Sequence, residues 1–134
     1  MARIPRTDVL LVVMGPPHTG ELTTSVFRLL QALLERGASV QVWACGYSTM
    51  LSQESLGETK PANLLDRHAR YPTTVVLIRE LLAAFPGRLH WFGCRACGEH
   101  RGATGHIPEV RARAPHTFGG HVHAAGKTLF MGVA

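Results

Sequence analysis

Long apolar runs are absent from this sequence, which excludes a membrane-spanning helix: no stretch reaches the roughly 18 consecutive apolar residues that a span requires. A secretory leader is not expected. The apolar run at residues 9–14 is shorter than the roughly 7–15 residues of a signal core. It leads straight into Gly15-Pro16-Pro17 with no cleavage-site pattern, so a cytoplasmic protein is expected. Lysine is nearly absent: 12 of the 14 basic residues are arginine, and they are scattered along the chain. Nucleic-acid binding proteins concentrate basic charge on one face and interleave aromatics. Aromatics are only 7% here, so the formal charge of +5 reads as a solvated basic surface suited to anionic small molecules or an acidic partner. Neither the Lys-Ser/Thr ending of a P-loop nor the G-x-G-x-x-G spacing occurs, so no nucleotide, flavin or other cofactor is expected. Cysteine is scarce and odd in number, three in all, which in a cytosolic chain argues against a disulfide framework and for reactive thiols or a metal.

What the chain does have is a patterned α/β sequence. Its 134 residues, 46% of them apolar, suit a single domain over residues 1–134 with a core that needs no staple. Residues 8–14 are apolar on both faces, as in a central strand of a parallel sheet. Leu22, Val26, Leu29, Leu30, Leu33 and Leu34 recur at intervals of three and four, predicting a helix that Gly37 closes. Residues 39–44 form the second strand, completing a right-handed βαβ unit. Residues 47–71 read as a long polar loop. A second helix follows from residues 72 and 73 to 85, then a third strand over 88–93 and a short helix over 95–101 closed by Gly102. Residues 106–114 are irregular or a short strand. Residues 117–125 are a weak helix compromised by Gly119 and Gly120, and 127–133 are a final strand. The sum is an open, mostly parallel α/β sheet of four or five strands with helices on both faces.

In such sheets reactive groups gather at the carboxyl ends of the strands. Cys45 follows the second strand, Cys94 follows the third, and Cys97 lies one helical turn on, so all three are expected on one edge. Cys94 stands where a strand becomes a helix. Unsatisfied backbone N–H groups and the helix dipole there favour a thiolate over a thiol. Arg95 and Arg101 add positive potential, and Cys97, at i+3, shares the helix side of Cys94. His18, in the loop after the first strand, is expected on the same edge, placed to orient or protonate a substrate. A low-pKa thiolate beside a second thiol suits sulfur transfer or redox exchange.

The segment Leu89-His90-Trp91-Phe92-Gly93-Cys94-Arg95-Ala96-Cys97-Gly98-Glu99-His100-Arg101-Gly102 resembles the strand-Cys-x-x-Cys-x-x-x-Arg-Gly segment of the DsrE/DsrF-like family of small sulfur-relay proteins. Residues 9–17 and Gly37-Ala38-Ser39-Val40-Gln41-Val42 are similar to the family's opening. The resemblance implies that Cys94, eight residues before Gly102, carries persulfide sulfur, and that Cys97 matches the second cysteine of some branches. It further implies sulfur donor and acceptor proteins or small persulfides as partners, and a homo-oligomer, a trimer or a hexamer.

Zinc is the rival chemistry, because Cys94-x2-Cys97-x2-His100-x5-His106 holds four potential ligands. The second pair lies at an unusual distance, so no metal is assigned. A zinc- or small-ligand-binding module, or recruitment of the fold to another biosynthetic reaction, stays open beside sulfur transfer. His116, His121 and His123 read as exposed histidines, since His121 and His123 diverge on a helix and cannot chelate together.

Overall fold

The expected strands assemble into one sheet in the computed structural model, which describes residues 3–18, 20–58, 65, 68 and 71–132. Strands β1 (Thr7–Val13), β2 (Val40–Ala44), β3 (Leu89–Cys94), β4 (Arg111–Arg113) and β5 (Ala125–Met131) are all parallel, in the order β4-β3-β2-β1-β5. The fold is thus the expected parallel α/β class, with five strands. β1 and β2 sit at the centre and, beyond the exposed Asp8, are buried on both faces, which is why they read as apolar runs interrupted only by Gln41. Their register is clamped at the amino ends. The Asp8 carboxylate accepts the Ser39 N–H and hydroxyl, while the Asp8 N–H donates to Ser39 Oγ. The Ser39 N–H, and after it the hydroxyl, hold that carboxyl below its usual range.

Helices α1 (Leu22–Glu35) and α2 (Thr74–Ala84) cover one face of the sheet. Val26, Leu30 and Leu34 of α1, with Val75 and Ile78 of α2, pack against Leu11, Val13, Val42 and Trp91. Gly37, at φ 93°, ends α1 in a left-handed turn, so the Gly37 and Ala38 N–H groups reach the carbonyls of Leu34 and Leu33. The opposite face is covered more thinly. There α4 (Phe118–His123) and the first turn of α3 (Arg95–Arg101) lie over Leu10, Val12, Trp43 and Phe92.

The weak helix expected over residues 117–125 is present at residues 118–123, where a side chain at Gly120 would meet the far end of Ile4, Cδ1, at 2.8 Å. Elsewhere the structure departs from the sequence expectations, each time with a local cause. β5 begins at Ala125, earlier than expected, because Gly126 lets the Asp8 carbonyl approach; a Cβ there would lie 3.0 Å from that oxygen. The loop after β2 contains two 3₁₀ stretches, Gly46–Ser52 and Glu54–Leu56, which have no apolar period to announce them. Residues 59–64, 66, 67, 69 and 70 of the expected loop lie outside the described residues.

A buried glycine in α3 sets up a first test. A Cβ at Gly98 would lie 2.5 Å from the Ala103 carbonyl oxygen, while the Gly98 carbonyl accepts the Ala103 N–H. The obstacle is backbone, so Gly98→Ala is expected to cost about 1–3 kcal/mol as overpacking despite the better helix propensity of alanine. Urea unfolding of the variant checks this.

Candidate functional site

Three thiols converge at the carboxyl edge of the sheet. Cys45 follows β2 and is held by its N–H to the Val13 carbonyl at 2.8 Å. Cys94 is the last residue of β3, and Cys97 lies in the first turn of α3. The Cys45 and Cys97 sulfurs are 3.6 Å apart, and no disulfide joins any of the three. The three cysteines therefore share one edge of the sheet, as the strand ends implied.

The distribution of charge among the thiols corrects the sequence expectation for Cys94. Burial pushes the Cys94 thiol up, although the backbone N–H groups of Cys97 and Ala96 face its sulfur. The residue is only 5% exposed, packed with Leu10, Val12, Trp43 and Phe92, and the hydrocarbon outweighs the donors. Cys45 is pushed up to about 11, first by burial and then by its two sulfur neighbours. Cys97 moves the other way. Its partial burial opposes charge, but the Gly46 N–H, the thiols of Cys94 and Cys45, and the Arg101 guanidinium together lower it. Of the three, Cys97 is the thiol whose surroundings most favour ionisation, with the Cys45 and Cys94 thiols placed to donate to it.

Arg101 is the one expected cation that joins the cluster. One turn after Cys97, it stacks over the Tyr47 ring at 4.8 Å and donates to the Cys97 carbonyl at 3.5 Å. Arg95 does not join. It lies about 100° around the helix from Cys94, is exposed, and donates to the Ala112 carbonyl at 3.3 Å. His18 is also elsewhere. It lines a separate cavity with Thr23 and Arg28 of α1 and Leu77 of α2, because the loop after β1 turns toward those helices.

The four residues weighed as zinc ligands do not come together. The His106 Nδ1 lies 2.8 Å from Ser52 Oγ, its ring also bonds the Ala103 carbonyl, and burial lowers its pKa. His100 is exposed. Among the described residues, no three His, Cys, Asp or Glu side chains are arranged as metal ligands.

The residue that sequence reasoning missed is His121. It is 0% exposed, whereas an exposed side chain was expected; His123 is exposed as anticipated. The His121 ring sits 4.9 Å from Trp43 and 4.6 Å from Phe92, with Nδ1 2.8 Å from Gln41 Oε1. Gln41 Nε2 donates to the Pro5 carbonyl and to Thr7 Oγ1. This fixes the amide orientation, so His121 Nδ1 carries the proton and its Nε2, which has no partner, is bare. Burial, reinforced by Arg113, lowers the His121 pKa. The available signal was the i,i+3 spacing to Phe118, which puts both rings on one helix side.

Beside the thiols is a cavity of about 250 Å³, walled by Val12, Trp43, Phe118 and Phe130 and reaching Cys45 and Cys94. Its lining is almost wholly apolar. Cys97 is not among the lining residues.

The whole architecture is similar to a solved structure, the ychN protein from E. coli, with a TM-score of 0.72 over 92% of this chain and 98% of that one. Identity is 19%, so the likeness speaks to the fold, which is the DsrE-like fold expected from the sequence. The chain matches no protein-family model and no curated protein. Among the described residues no helix is long and apolar enough to cross a membrane.

Proposed function

We propose that the chain is a sulfur carrier, or sulfurtransferase, that relays persulfide sulfur through its three-thiol cluster. The observation that supports this is the placement of Cys97, a sulfur favoured as the anion, with the neutral Cys45 thiol 3.6 Å away. The Cys97 thiolate attacks the outer sulfur of a donor persulfide, the donor thiolate leaves with the bonding pair, and the proton stays on the outer sulfur. Cys97–S–SH results. An acceptor thiolate then takes the outer sulfur and returns the electron pair to Cys97. Attack by Cys45 on the inner sulfur would instead release hydrogen sulfide and leave a Cys45–Cys97 disulfide, a step balanced by the Cys45 proton. The zinc reading is the weaker one, since His106 is committed to Ser52 and Ala103.

The partners of this reading are sulfur donor and acceptor proteins or small persulfides in the cytoplasm. Self-association is part of the proposal. Edge strand β5 leaves Leu129 exposed and its outer edge unpaired, features of a kind that an oligomer covers.

Incubation with glutathione persulfide followed by intact-mass measurement tests the relay. The wild type is expected to gain one sulfur, Cys97→Ser to lose at least nine-tenths of that adduct, and Cys94→Ser to keep most of it. A wild type that gains no sulfur, or a Cys97→Ser protein that loads normally, removes the proposal.

A further inference from the structure

Resting on the sulfur-carrier reading, we infer that the cavity beside Cys45 and Cys94 is the binding site of a small apolar organic thiol, which takes the sulfur and leaves as an organic hydropersulfide. The argument begins from what the walls can recognise. Val12, Trp43, Phe118 and Phe130 offer rings and methyl groups, and the polar chemistry of the lining is essentially the two cysteine sulfurs. The indole and imidazole nearby are turned to each other, at 4.9 Å, and the His121 Nδ1 is engaged by Gln41. The carboxylates and amides of a glutathione-like thiol find no partners on these walls, so they gain nothing in the cavity and lose hydration wherever they enter it. An aryl or branched alkyl thiol loses only apolar hydration, which favours binding by roughly 25 cal/mol per Å² buried. The volume, about 250 Å³, lies just below that of pockets for drug-sized ligands and suits a single ring or a short branched chain.

The same geometry separates loading from delivery. Cys97 lies outside the cavity beside Gly46 and Arg101, whereas Cys45 reaches into it. Sulfur loaded on Cys97 therefore needs one exchange to reach the acceptor. The Cys45 sulfur, 3.6 Å from the Cys97 Sγ that would carry the load, attacks the outer sulfur of Cys97–S–SH, and the Cys45 proton passes to Cys97. The sulfur of the bound thiol next attacks the outer sulfur on Cys45. A new S–S bond forms on the organic molecule, the Cys45 bond to that sulfur breaks, and the electron pair returns to Cys45, which takes up the proton that the thiol gives up. Nothing is oxidised overall, and no further reactant is required. A second copy of the chain could also cover an apolar concavity, but a self-association surface has no need of two thiols at its floor.

Two measurements test this. First, toluene, which has the apolar body and no sulfur, is titrated into the protein while the amide resonances of Cys45 and Phe118 are followed by NMR. Saturable shifts at these residues are expected, and Met14→Trp, which adds a bulky ring at a partly exposed lining position, is expected to weaken binding at least tenfold. Second, sulfur-loaded protein is offered benzenethiol or glutathione. After division by the same ratio measured with N-acetylcysteine persulfide, benzenethiol is expected to be favoured at least about tenfold, and Met14→Trp and Cys45→Ser are each expected to abolish the preference. Absent toluene binding, binding untouched by Met14→Trp, or a corrected preference near one overturns the inference while a sulfur-loading protein still upholds the carrier. Toluene excluded by a dimer that Met14→Trp dissociates would assign the cavity to a second copy and overturn it as well. A protein that takes up no sulfur removes the carrier and the acceptor role together.

Discussion

Mild oxidation of the reduced protein with diamide is expected to join Cys45 to Cys97 and to stabilise the fold by about 4 kcal/mol. The two sulfurs lie 3.6 Å apart across 52 residues of sequence, so the bond would close a long loop in the unfolded chain while asking little movement of the folded one. For a chain of this length the gain corresponds to a rise in Tm of about 10 °C or more. The order of events follows from the charges. Cys97, the favoured anion, attacks the oxidant first, and Cys45, pushed up to about 11, then displaces the reduced reagent. Peptide mapping and thermal melting check the outcome: Cys94→Ser is expected to keep the full shift, and Cys45→Ser to lose it. Pairing of Cys94 with either neighbour, or an oxidised protein that melts with the reduced one, would contradict the geometry.

His121 carries the second large effect. Replacement by alanine removes a fully buried ring from between Trp43 and Phe92 and leaves Gln41 Oε1 without its donor. The loss is expected to be about 3–4 kcal/mol, as for a large-to-small core change with an orphaned polar atom. His121→Phe, which keeps the packing but not the hydrogen bond, is expected to recover more than half of it. The same residue makes the fold acid-sensitive. Burial lowers the pKa of His121, with Arg113 adding to it, and burial likewise lowers that of His106 and His90. Each is therefore more readily protonated in the unfolded chain, and stability rises with pH wherever the unfolded state holds more protons. The full contribution is present above the ordinary histidine pKa of about 6.5 and is lost as pH falls below it toward the depressed folded values. The slope is at most about 1.4 kcal/mol per pH unit for each histidine. Urea titrations between pH 8 and pH 5 measure it. A flat profile would mean that none of the three is held neutral, and His121→Phe is expected to flatten the profile partly.

The elements that could be read in the sequence are those whose own residues carry the pattern. β1, β2, α1 and α2 bury apolar side chains at regular spacing, and each lies within two residues of its expected position. The common edge of the cysteines was legible for the same reason, because strand ends determine it. Loop direction and burial were not. Nothing in Gly15-Pro16-Pro17-His18 says that this turn heads for α1 and α2, away from the thiols. The choice of Cys94 as thiolate used the local backbone correctly but missed the hydrocarbon brought over it by β1 and β2. His121 was unreadable because its partner, Gln41, lies 80 residues earlier in the middle of a strand. A polar pair buried across that separation leaves no periodic trace.

The unequal cladding of the sheet has a consequence for how such a protein can diversify. Most of the apolar mass lies under α1 and α2, and the thiol side is roofed largely by a six-residue helix and the turn before it. Changes of length or composition in that short roof would reshape what reaches the sulfurs without disturbing the foundation on the other side. The scaffold is in this sense modular: one half secures the architecture, and a short cassette, Pro115–Thr117 with Phe118–His123, governs access to the sulfurs.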